Sequence, residues 1–405
     1  DKIKALQAIS KNRSSSYSDL ATLELGATYI RQNRFAEGDK VLRQFTAERP
    51  ESAYYVPALL ELGMANINLN EPQKALGYYK RIVEQYPQAP EVKDAMTAIK
   101  GIYVSEGNAD GYLAFAEKTG GEYKVGDEER EQLAFDALQQ LYVKSDYDGL
   151  IASTDTYLKN YPQGTHVSDA TFFRGEALLK KGDAKQAAET FEKLIAMPNN
   201  QYTAASLEYA ANLYRQAGDS DKEYAALLKL YRQSTNPSQK RSALSALMAA
   251  SLRSDDTQRQ TETSELVLAD KDAEAETRSL ARFVSGRDLY NAGKYAQAVE
   301  TLTKVKLPAS RAEGVQSQFL IADAYVKLKK ESEAERQIQK IAGMETDHQY
   351  WVARSFLLLG DIYLSRGDQF QARATYQSVA DGYEKQNDGI RETARKKLSQ
   401  LTDKQ

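Results

Sequence analysis

The chain has two histidines, His166 and His348, and no cysteine among 405 residues. Without cysteine there are no disulfides, thiolate metal sites or thiol nucleophiles. The histidines stand nearly half the chain apart, each at the start of an expected helix. Neither has a second ligand at metal spacing, so a solvated or capping role is the simpler reading. Asp146-Tyr-Asp148-Gly149 imitates the start of a calcium loop, but Tyr157 stands where the closing Glu belongs. Asn12-Arg-Ser14 fits a glycosylation sequon, which has meaning only in a eukaryotic secretory route. The stretch 121–126, Gly-Glu-Tyr-Lys-Val-Gly, follows no strand pattern and reads as a loop rather than a phosphate cradle. Carboxylates are plentiful but scattered. The residues therefore predict no catalytic, cofactor-binding or metal site, and a protein that is not an enzyme.

Lys plus Arg number 54 against 57 Asp plus Glu, a net charge of −3, which argues against a nucleic-acid footprint. No apolar run is long enough to span a bilayer, so no transmembrane segment is expected. The chain opens on Asp1 with neither an initiator Met nor a signal peptide, and is expected to be a processed protein or part of a longer one whose targeting signal is missing.

The elements that must position any site are helices. In Leu357 to Val379, Gly360 and Tyr363 fall on one side of a first helix and Gly367-Asp368 breaks it. Ala372, Tyr376 and Val379 then recur at helical spacing on a second helix. Such a hairpin buries too little apolar surface to stand alone and requires copies. The chain supplies them: turns are expected at Asn33, Asn70, Gly107, Ser145, Gly182, Gly218, Ser254, Gly293, Lys329 and Gly367, with neighbours 36 to 39 positions apart. The fifth residue after the turn is small in six copies: Gly38, Ala75, Ala187, Ala298, Ala334 and Ala372. The third and seventh copies depart most, with Tyr112, Arg259 and Thr263 at expected small or apolar places, so a bend or looser contact is expected there. Pro50, Pro87 and Pro162 stop second helices.

Leu25-Gly26-x-x-Tyr29, Leu62-Gly63 and Leu359-Gly360-x-x-Tyr363, with Gly or Ala at 38, 75 and 372 and Pro at 50 and 87, resemble the tetratricopeptide repeat (TPR). The resemblance covers residues 16 to about 383. It implies an all-α, right-handed superhelical solenoid of about ten antiparallel helix hairpins. The expected organisation is 1–15 as the end of a truncated upstream repeat, then 16–126, 127–272 and 273–387 as repeats 1–3, 4–7 and 8–10. A closing helix and tail follow at 388–405. Phe172-Phe173-Arg-Gly175 and the Tyr86-Pro87 and Tyr161-Pro162 endings are similar to envelope TPR proteins of Gram-negative bacteria, of the BamD and YbgF kind. Residues 113–121 and 367–373 resemble large envelope TPR proteins of Bacteroides-like bacteria. That resemblance implies a periplasmic or cell-envelope location.

In such an array first helices line a concave groove. Residues ten, six and three before each turn form its stripe, including Leu60-Met64-Ile67, Phe172-Glu176-Leu179, Phe283-Arg287-Tyr290, Phe319-Asp323-Val326 and Leu357-Asp361-Leu364. The outer members read either as core contacts or as an aromatic trough. In the second reading the partner-binding residues are Phe172, Glu176, Phe283, Arg287, Tyr290, Phe319, Asp323 and Asp361, since aromatics and Arg dominate binding hot spots. Only Asn212 and Arg287 among the middle positions suit an anion, so the carboxylate clamp of some TPR domains is not expected. The expected function is a non-catalytic scaffold binding protein or peptide partners in the groove. The alternative is an architectural subunit of an outer-membrane assembly complex that contacts partners through its ends or convex face.

Overall fold

The computed structural model describes residues 1–198, 200–385 and 387–402. Among them every regular element is helical: helices α1 to α22 and one 3-10 turn at Gly121–Tyr123. The chain divides into two compact units, Asp1–Tyr202 and Thr203–Gln405. This division falls inside the expected 127–272 block. In the first unit α1 (Lys2–Lys11) precedes five hairpins: α2/α3 (Ser18–Arg31, Phe35–Glu48), α4/α5 (Tyr55–Asn68, Pro72–Gln85), α6/α7 (Val92–Ser105, Ala109–Thr119), α8/α9 (Asp127–Lys144, Tyr147–Asn160) and α10/α11 (Val167–Lys181, Ala184–Ala196). The second unit holds α12/α13 (Thr203–Ala217, Ser220–Gln233), α14/α15 (Pro237–Arg253, Thr257–Ala269), α16/α17 (Ala275–Asn291, Tyr295–Leu302), α18/α19 (Ala312–Lys327, Glu331–Ala342) and α20/α21 (Gln349–Ser365, Gln369–Gly382), closed by α22 (Ile390–Thr402).

The hairpins turn by one repeated device. Nine of the ten expected turn residues have left-handed backbone, from Asn33 (φ 61°) to Gly367 (φ 82°). The next residue's N–H reaches back to the carbonyl of the residue four before the turn, as from Arg34 to Tyr29 (2.9 Å) and from Asp368 to Tyr363 (2.9 Å). This six-to-one bond satisfies a carbonyl that the helix end would otherwise leave unpaired. Ser254 is the exception, extended at φ −86° and ψ 145°. One further residue separates it from the N-cap Asp256, so the second helix starts one position later than expected. The first buried residue of that helix is therefore Gln260 rather than Arg259, whose guanidinium instead bonds Asp221 (2.8 Å).

Helix pairs close by size complementarity. A Cβ added to Gly26, Gly63, Gly175, Gly286 or Gly360 would lie within 2.7 Å of Leu42, Tyr79, Phe191, Leu302 or Tyr376 respectively. Each large partner sits on the second helix, and all five are buried. The pairing explains why glycine interrupts otherwise apolar first helices despite its helix cost. The third hairpin departs from it: α7 is only 11 residues long and Tyr112 is buried where a small residue was expected. A cavity of about 260 Å³ lies beside it, lined by small residues such as Ala109, Ala137 and Ala152.

Candidate functional site

The isolated chemistry-bearing residues have structural roles. The Asp146 carboxylate caps α9 by accepting from Gly149 N (3.1 Å), and Asp148 pairs with Lys181 (2.7 Å). His166 is the N-cap residue of α10, its ring stacked 3.9 Å from Phe135 and its Nε2 3.3 Å from Gln132 Oε1. His348 precedes α20 and places Nε2 2.9 Å from the Ser310 carbonyl oxygen. Among the described residues no group of three acids or histidines is arranged to hold a metal ion. No described helix is long and apolar enough to cross a membrane.

The proposed groove residues divide between the units. In the first unit the half-buried Phe172 stacks on Tyr202 (4.2 Å) and Glu176 accepts from the Tyr142 hydroxyl (2.6 Å). Tyr202 also donates to Asp169, and burial together with that bond pushes its phenol up to about 12. In the second unit Phe283 is 2 % exposed and packs in the core, so it has no ring face for a partner. Arg287 spends its charge on the adjacent Asp288 (3.1 Å). Tyr290 donates to Asp323, and burial first, then this hydrogen bond, raises the phenol well above its usual range. Phe319 is also largely buried, at 4 % exposed, but it lines a cavity.

That cavity, about 430 Å³, is where Phe319, Asp323 and Asp361 converge. Tyr350, Arg354 and Leu357 of α20 complete its floor, and Asp388, Ile390 and Lys397, from α22 and the segment before it, close one side. Asp361 accepts from both the Tyr376 hydroxyl (2.6 Å) and Lys397 Nζ (2.6 Å), tying α22 to α20 and α21. Asp388 accepts from Tyr383. Each of the three carboxylates is thus held by a tyrosine hydroxyl. Burial and those bonds raise the Tyr376 and Tyr383 phenols too, keeping them protonated as donors.

Arg354 was not among the residues expected from sequence. It lies one helical turn before Leu357, just outside the stripe ten, six and three residues before the turn; extending the stripe by that turn would have included it. Its guanidinium carbon lies 4.6 Å from the Phe319 ring centre, 5.3 Å from Trp351 and 5.7 Å from Tyr350. Among the described residues it makes no ion pair and donates no hydrogen bond.

Two stretches match family models described as tetratricopeptide repeat, residues 23–90 and residues 354–385. No curated protein matches the chain. Among solved structures, a tetratricopeptide repeat protein from Parabacteroides merdae is 16% identical over 68% of this chain and 100% of its own, with a TM-score of 0.31. The TPR domain of P58(IPK) is 15% identical over 96% and 99%, with a TM-score of 0.28. Yeast Tom70 is 11% identical over 99% and 92%, with a TM-score of 0.35. Residues 23–90 and 354–385 are thus similar to the tetratricopeptide repeat, and each of the two units is an all-α array of antiparallel helix hairpins, as that repeat builds.

Proposed function

We propose that this protein is a non-catalytic scaffold that holds a segment of a partner protein, and that in its second unit the contact is made at the Asp323–Asp361 cavity. The observation carrying this reading is the convergence of side chains from α18, α20 and α22 on one open concavity. Repeat arrays offer extended surface without needing a catalytic constellation, and an aromatic floor with flanking charges is the composition of a binding hot spot. The test is a cross-linked pull-down with wild type and an Asp323→Asn, Asp361→Asn variant, matched for helical circular dichroism. A partner retained by wild type and lost by the variant supports the groove. Equal recovery moves the contact elsewhere.

The architectural alternative draws support from Val143 and Phe370, 75% and 79% exposed beside hairpin turns rather than in the groove. Under that reading Phe370→Ser, not the groove variant, breaks the complex. A periplasmic or envelope location remains part of the proposal and rests on the sequence resemblance; the cysteine-free composition is compatible with it. Cell fractionation tests it.

A further inference from the structure

We infer that Arg354 is the anchor for a carboxylate carried by the bound segment. The inference rests on the cavity being the binding site proposed above. The guanidinium carbon lies 4.6 to 5.7 Å from the Phe319, Trp351 and Tyr350 ring centres, within cation–π range of all three, which favours one position for the group. Its five N–H donors nevertheless have no acceptor among the described residues, although they open on a cavity of about 430 Å³. Neighbouring charges are already committed: Asp323 accepts from Tyr290, and Asp361 accepts from Tyr376 and Lys397. A preorganised fork without an acceptor matches the two oxygens of a carboxylate.

The surroundings select that anion over a phosphate. The cavity carries Asp323, Asp361 and Asp388 against Arg354 and Lys397, three negative charges against two positive. The net charge of the lining is negative, so it opposes a dianion twice as strongly as a carboxylate, and only the local contact with Arg354 favours the singly charged group. Arg354 also lies outside the middle groove positions that a carboxylate clamp would use, and so constitutes a separate anchor.

Trp351 is the only tryptophan in the chain, and its ring faces Arg354. Its fluorescence therefore reports on the site directly. The probes are N-acetyl-Leu-Leu with a free carboxylate, the same peptide as its C-terminal amide, and N-acetyl-Leu-Glu-Leu-amide. Saturable changes are expected with a carboxylate probe, at least about tenfold weaker with the neutral amide and with Arg354→Gln, which is about 1.4 kcal/mol. Arg354→Lys should recover part of the binding, since it restores the charge without the fork. Preference for the free acid identifies a chain terminus; preference for the glutamyl peptide identifies a side chain.

Binding of the neutral amide as tight as that of both carboxylate probes overturns the inference, as does unchanged binding by a folded Arg354→Gln or the absence of any response. If Arg354→Gln fails to fold, the acid–amide comparison on wild type still decides. Partner loss in the Asp323→Asn, Asp361→Asn pull-down together with equal binding of the amide and both carboxylate probes would reject the carboxylate and leave the scaffold reading standing.

Discussion

Glu61 lies half-buried on α4 beside the exposed Met64, and among the described residues it has no hydrogen bond or ion pair. Burial pushes its carboxyl above the usual range; Arg31 opposes this and Glu24 adds to it. The folded chain therefore holds the Glu61 proton more tightly than the unfolded chain. Stability must fall as pH rises from the ordinary glutamate range through the raised folded value. Glu61→Gln removes that loss. Thermal unfolding is expected to show the variant more stable than wild type at pH 7 and equal to it at pH 3. A variant no more stable at pH 7 would mean that Arg31 already offsets the burial. Glu131 is the opposite case: the Tyr157 hydroxyl (2.8 Å) lowers its carboxyl, with Thr165 N (2.6 Å) also donating. The two side chains are the same residue type on first helices, and only their neighbours separate them.

At the scale of elements, each hairpin depends on a small residue meeting a large one. A Cβ at Gly360 would come 2.3 Å from the ring of Tyr376, which is fully buried and cannot move aside. Gly360→Ala is expected to cost about 1–3 kcal/mol by overpacking, read as a lowered urea midpoint, with Tyr376→Leu in the same chain restoring part of it. Gly77→Ala is the contrast, because nothing lies within 4 Å of the added carbon. It is expected to stabilise by about 0.5–1 kcal/mol through helix propensity alone. Equal effects of the two would show that packing does not set the Gly360 requirement. The Gly360–Tyr376 fit was legible in sequence because both residues fall on repeat positions. The seventh hairpin was legible only as a departure: Arg259 and Thr263 marked it, but not the extra residue after Ser254 that shifts α15 and buries Gln260, Thr263 and Ser264.

At the scale of the molecule, the chain divides between Tyr202 and Thr203. Large buried clusters lie wholly inside each unit, one from Ile30 to Ala137 in the first and one from Leu244 to Ile362 in the second. In a repeat array each hairpin is stabilised mainly by its neighbours. A fragment spanning 203–405 is therefore expected to be helical, to unfold cooperatively in urea, and to give the same Trp351 fluorescence as the full chain. A fragment without a cooperative transition would show that the second unit requires the first.

The sequence by itself determined the helical class, the number of hairpins and nine of the ten turns. Those features are local: a left-handed residue and an apolar period act within one repeat and recur along the chain. Tertiary structure decided the division at 202–203, the burial of Phe283 and the commitment of Arg287 to Asp288. It also brought Arg354 together with Phe319 and Lys397 across three helices. A period says which side of a helix a residue occupies. Whether that side meets water, another ring or an opposite charge depends on helices dozens of residues away, and only packing them together settles it.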